Sequence, residues 1–160
     1  MEKTHIAIKP GIGLGDIKLG MSREEIESIL GKPEFQEITS FEDEGETFQS
    51  DSWEYHGLRM DLTFEEAEKW RLVIISVSSD DYLLLDKKLI GSDMEELMNE
   101  LSELNINDIE VEDLSTDDNP DFMLVSSEEH AINFWLPDNV VEEIQIAPRI
   151  NEDNTIAWPE

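Results

Sequence analysis

Chemistry needs side chains able to hold a metal, attack a bond or move protons, and this sequence offers few in usable arrangements. Its three histidines, His5, His56 and His130, stand apart, and no motif sets any of them beside a nucleophile or a second ligand. His56 precedes Gly57, and His130 follows Glu128-Glu129 in an equivalent place, so both read as turn residues. Neither a G-x-S-x-G nucleophile elbow nor an H-E-x-x-H zinc motif is present. With no cysteine, disulfides, zinc–thiolate sites and thiol nucleophiles are excluded. The run Gly11-Ile12-Gly13-Leu14-Gly15 lacks the G-x-G-x-x-G spacing of a phosphate loop and reads as a flexible lead-in to Leu19-Gly20. Asp117, Asn119, Asp121 and Glu128 fall at the ligand spacing of an EF-hand, but Phe122 stands where the loop's sharp turn needs Gly, and Pro120 stiffens it. Carboxylates are so common that no pair stands out as general acid and base. The expectation is a protein with no catalytic residues, no cofactor and no metal.

The carboxylates matter collectively. Forty Asp and Glu stand against 11 Lys and Arg, a formal net charge of −29, whereas about 2 to 8 charges suffice to keep a small domain soluble. Such a field repels nucleic acid and anionic membranes and speeds the approach of basic proteins. At 160 residues and 39% apolar composition, with four Trp and six Phe, the chain is able to bury a core without staples. The opening residues Met1 to Ala7 show no apolar h-region, and no stretch approaches the roughly 18 apolar residues of a membrane span; a cytoplasmic location is expected.

The elements that must position any site are repeated. Leu19-Gly20-Met21-Ser22-Arg23-Glu24-Glu25-Ile26 aligns with Ile90-Gly91-Ser92-Asp93-Met94-Glu95-Glu96-Leu97 at an offset of 71. Ser22 and Asp93 read as N-caps, with Glu25 and Glu96 completing capping boxes, and Gly31-Lys32-Pro33 stops the first helix. Leu58, Met60, Leu62 and Phe64 alternate with polar residues, as do Ile132, Phe134 and Leu136 at an offset of 72; period two predicts half-buried strands. Val73, Ile75 and Val77 match Ile144 and Ile146, while Trp53 to Tyr55 and Phe122 to Val125 supply an earlier strand in each copy. The sequence thus predicts an α+β fold: two tandem helix-plus-three-antiparallel-strand units, 12–80 and 84–148, forming one sheet with helices packed on one face, then a polar tail, 151–160. The acidic stretches Thr39 to Ser52 and Asp108 to Pro120 are expected to be loops.

The run from Leu19-Gly20-Met21-Ser22 through Ile29-Leu30-Gly31-Lys32-Pro33, followed by Trp53-Glu54-Tyr55 and Leu62-Thr63-Phe64, resembles the signature of the BamE-like (SmpA/OmlA) and β-lactamase-inhibitor-protein superfamily. That resemblance implies helices against an antiparallel sheet, and protein binding on the sheet's open face, the mode of the inhibitor member. The outer-membrane members are anchored through an N-terminal Cys that this chain lacks. Small, very acidic proteins without catalytic motifs also resemble bacterial toxin-immunity proteins.

If the apolar alternation faces the core, the opposite register assigns Arg59, Asp61, Thr63, Ile74, Asn133, Trp135, Glu143 and Gln145 to an open face. Trp135, a large aromatic among polar neighbours, is the expected anchor for a partner. Two acidic clusters, Glu42, Asp43 and Glu44 with their neighbours, and Asp113, Asp117, Asp118 and Asp121, form a second candidate surface. The expected function is that of an immunity-type inhibitor of a basic, nuclease-like toxin. A structural or assembly module is the alternative, and an enzyme would require a pocket of convergent carboxylates.

Overall fold

The computed structural model describes residues 7–159; His5 and Glu160 lie outside them. The chain runs through β1 (Ala7–Lys9), β2 (Gly13–Leu14), β3 (Ile17–Lys18), α1 (Arg23–Leu30), β4 (Phe35–Asp43), β5 (Glu46–Tyr55), β6 (Met60–Glu65), β7 (Arg71–Val77) and β8 (Leu83–Leu84). It continues through α2 (Met94–Glu103), β9 (Ile109–Asp113), β10 (Met123–Ser127), β11 (Ile132–Leu136), β12 (Glu143–Ile146), β13 (Arg149–Ile150) and β14 (Ile156–Ala157).

Both helices start at reciprocal capping boxes, Ser22 with Glu25 and Asp93 with Glu96, each stabilising its helix by about 1 kcal/mol. Gly31, at φ 82°, ends α1. Behind α2, Asn105 takes the left-handed conformation at φ 63°, which replaces the missing glycine stop. The residues ahead of each helix are pinned to the sheet in matching ways: Gly20 donates to Leu72 and Leu72 to Met21, while Gly91 donates to Val141 and Val141 to Ser92.

One antiparallel sheet of eight strands dominates, in the order β4-β5-β6-β7-β12-β11-β10-β9. β7 and β12 join the halves, with Ser76 opposite Gln145, and the order reads outward identically from that seam. Each helix is followed by four strands of this sheet instead of three. The buried residues Met60, Leu62 and Phe64 on β6, Ile75 and Val77 on β7, Ile132, Phe134 and Leu136 on β11, and Ile144 and Ile146 on β12 share one cluster.

The expected α+β class does not hold; the protein is mainly β. α1 and α2 span 8 and 10 residues and bury only Ile26, and Leu97 with Leu101. The rest of the cluster outside the large sheet comes chiefly from the small sheet β3-β2-β1-β8 and the segment leading to α2, through Ile8, Leu14, Ile17, Leu19, Tyr82 and Leu89. Two expectations concealed this. Thr39 to Ser52 is not a loop but most of the β4–β5 hairpin, turning on Glu44 and Gly45 with φ of 51° and 84°, the pair of positive φ values a two-residue I′ turn needs. The glycine run is not a flexible lead-in either: a Cβ on Gly13 would lie 2.1 Å from the carbonyl oxygen of Ile17, so glycine there permits close packing of β2 on β3.

Among the described residues no helix is long and apolar enough to cross a membrane. Residues 149–157 form the β13–β14 hairpin, and Trp158 packs on Gly20 and beneath the Arg71 guanidinium, 5.1 Å from its ring centre.

Candidate functional site

Period two turns every second residue of the large sheet away from the core, and the register aligns those residues into rows. Glu54, Asp61, Ser76, Gln145, Asn133, Ser126 and Glu110 are successive cross-strand neighbours from β5 to β9. Asn133 donates its amide to Gln145 at 3.2 Å. One row along, Trp135 stands opposite Glu143 and beside Leu124. Thr63 and Ile74 are paired on the same face in the first half.

At one end of this face Trp135, Glu143 and Arg59 come together around a cleft of about 570 Å³, with Phe122, Val140 and Glu142 completing much of its wall. Trp135 is half-buried and leans on Phe122, ring centres 6.0 Å apart at 53°. Its buried indole nitrogen has no hydrogen-bond partner among the described residues. Arg59 ends a short 3-10 turn in the left-handed conformation, φ 53°, which sends an exposed guanidinium to the cleft. Burial raises the pKa of Glu143, the Asp61 charge adds to the shift, and a hydrogen bond from Ser76 opposes it. Asp61 is raised by partial desolvation and by the Glu54 carboxylate, with His56 opposing. These carboxylates therefore sit in an electrostatic environment that a cation would relieve.

The acidic clusters are not brought together. Glu42 and Asp43 end β4 and Glu44 lies in its turn, whereas Asp113 ends β9, and Asp117, Asp118 and Asp121 occupy the loop before β10. β4 and β9 are opposite edges of the sheet and run in opposite directions. The clusters thus occupy diagonal corners, separated by about 33 Å across seven strand spacings and by further length along the strands, too far to flank a shared groove. All seven side chains are exposed, and Asp113 is held below the usual carboxylate range by hydrogen bonds from Ser115. The EF-hand spacing dissolves in the same way, because β10 carries Glu128 about 20 Å from Asp121.

Trp53 and Tyr55, whose face the sequence leaves open, turn to the core; Trp53 packs on Phe64 at 4.8 Å and Tyr55 donates to the Gly31 carbonyl at 2.8 Å. Glu54 between them is the outward residue that the same alternation identifies. His130 has a structural role. The Ser127 hydroxyl lies 2.6 Å from Asp108 Oδ1 and 2.9 Å from His130 Nδ1, and Asp108 also accepts from Glu129 N. Asp108, Glu129 and His130 could surround a cation, but these bonds already account for the cluster as a clasp on the β10–β11 turn. The buried Ser127 hydroxyl is engaged within that clasp, with Asp108 and His130 as its partners.

No family model matches the chain, and no curated protein matches it. Among solved structures it is similar to an uncharacterised Escherichia coli protein, yfeY, with a TM-score of 0.51 and 13% identity, over 90% of this chain and 99% of that one. At that identity the likeness speaks to the fold alone.

Proposed function

We propose that this chain is a cytoplasmic, non-catalytic inhibitor of the immunity type, which binds a basic protein, a nuclease-like toxin domain, through the open face of its large sheet. The observation that carries the reading is the convergence of Trp135, Glu143 and Arg59 on one cleft beside the Glu54–Asp61 carboxylates. An aromatic wall supplies lasting affinity, and carboxylates that repel one another supply a preference for cations. In a nuclease the cations that grip phosphates are exposed and clustered, so carboxylates in a row at strand spacing stand in for a phosphate backbone. The resemblance to the inhibitor-protein superfamily, with its open-face mode of binding, points the same way.

The test is capture of partners on the immobilised chain from native lysate at about 50 and 500 mM salt, with Trp135→Ala and Glu143→Lys as parallel baits. A basic protein is expected at low salt, weakened at high salt, with affinity reduced about 30-fold by Trp135→Ala, the scale of an interface hot spot. Added chain is expected to block that protein's nuclease activity. Recovery of no basic protein, or of one indifferent to both substitutions, would reject the reading.

A further inference from the structure

At the other end of the open face lies a second cleft, of about 540 Å³. Its floor is mainly aliphatic, made by Val73, Ile74, Ala131, Ala147, Ile150 and Ile156 beside the polar Ser126 and Asn133, and Glu65, Glu68, Glu110 and Glu128 stand around it. Among the described residues no Lys or Arg lines it. Ile150 is 61% exposed, an aliphatic side chain left in water at the tip of the β13–β14 hairpin.

The internal repeat relates this cleft to the first. Arg59 and Ala131 are matched at an offset of 72 and share the left-handed conformation, φ 53° and 51°. About the Ser76–Gln145 seam, Ser78 matches Ala147, Val73 matches Glu142 and Ile74 matches Glu143. Four wall positions of the first cleft, Arg59, Ser78, Glu142 and Glu143, thus become Ala131, Ala147, Val73 and Ile74 in the second. The same scaffold offers charge in one place and aliphatic surface in the other.

We infer that the second cleft receives an aliphatic side chain from a segment of the partner that carries Lys or Arg on either side of it. This rests on the reading of the open face as a protein-binding surface. An apolar floor alone would also suit lipid or a second copy of the chain. Charge decides between them: a second copy brings another −29, and anionic lipid is repelled in the same way. An aliphatic residue flanked by cations satisfies floor and rim together, and Glu65, whose pKa burial and the Glu68 charge push up, gains a counter-ion. Trp135 lies on β11 and Ala131 immediately precedes that strand, about 13 Å away, so a single extended segment of about five residues reaches both clefts.

Two capped peptides, Lys-Leu-Lys-Leu-Lys and Lys-Ser-Lys-Ser-Lys, test this by isoleucine-methyl NMR titration at fixed salt. The leucine peptide is expected to bind at least about tenfold tighter, the scale of burying one aliphatic side chain, and to shift the methyls of Ile74, Ile150 and Ile156. Ile150→Asp is the decisive variant. It adds a negative charge, so attraction by charge alone predicts tighter binding, while an aliphatic seat predicts roughly tenfold weaker binding; a matched thermal melt checks its fold. Equal binding of the two peptides, shifts confined elsewhere, no binding, or tightening by Ile150→Asp would each overturn the inference. A partner captured through Trp135 and Glu143 would leave the broader reading standing even then.

Discussion

In the first half of the sheet Arg23 at the start of α1 bonds to Asp51 of β5 at 3.1 Å, and Gln36 of β4 donates to both oxygens of the same carboxylate at 3.0 Å. Asp51 is fully buried. The second half places Met94, Met123 and Val111 at the matching positions: Arg23 and Met94 each follow an N-cap, Asp51 and Met123 oppose Phe64 and Leu136, and Gln36 and Val111 oppose Trp53 and Val125. Met94 and Met123 pack against the core. One corner of the scaffold thus holds an ion pair whose carboxylate is buried and whose arginine is half-exposed, and its twin does without one. The fold does not require the charges, and the burial of Asp51 is tolerated because Arg23 and Gln36 are both present.

Breaking that trio one member at a time gives the largest effect. Arg23→Met leaves Asp51 buried without its cation and should lower stability by about 3 kcal/mol in urea unfolding. Converting the corner wholly to its twin, with Arg23→Met, Asp51→Met and Gln36→Val together, should restore stability to within about 1 kcal/mol of the parent. A triple variant no more stable than the single one would mean that the two corners differ in shape as well as in charge.

Two glycines stand at the same place in each half. Gly20 and Gly91 have φ of 94° and 98°, and each precedes a helix pinned to the sheet. A Cβ at Gly91 meets nothing within 4 Å, whereas one at Gly20 would lie 2.9 Å from the Trp158 ring. Gly91→Ala should cost about 1 kcal/mol, the strain of a positive φ, and Gly20→Ala more, because it also lifts Trp158 from its seat. In a Trp158→Ala background the two glycine substitutions should cost the same by thermal melting; a surviving difference would place the excess in the backbone.

These contrasts mark what the sequence reveals. Ser22-x-x-Glu25 and Asp93-x-x-Glu96 locate both helices because a cap is a local event. The alternation from Met60 to Phe64 and from Ile132 to Leu136 locates the central strands and, by parity, the outward residues Asp61, Asn133 and Trp135. β4 carries no such mark: nearly all of its residues are exposed on both faces, so charges such as Glu37 and Glu42 sit in it freely and hydrogen bonds to β5 alone define it. β9 is hidden for the same reason. The second cleft is invisible in the chain order, since Ile74 and Ile150 meet only after the sheet is closed and the β13–β14 hairpin laid beside it. The run from Gly11 to Gly15 reads as flexibility in part because the neighbour that crowds Gly11, Arg149, comes from the other end of the chain.

The smallest expected effect compares Glu143 with its twin Ile74, a carboxylate against an aliphatic side chain on the same face. Burial and the Asp61 charge raise the pKa of Glu143 in the folded protein. A group so raised contributes stability below its unfolded pKa and loses that contribution as pH rises through its folded value, so ionised Glu143 weakens the fold at pH 7. Glu143→Gln should therefore stabilise at pH 7 by no more than about 0.5 kcal/mol. The gain should fade as pH drops through the carboxylate range, where the parent is protonated as well. Urea unfolding at pH 7 and pH 4 separates the cases: a gain equal at both would come from packing, while one confined to pH 7 identifies the strain that a partner's cation relieves on binding.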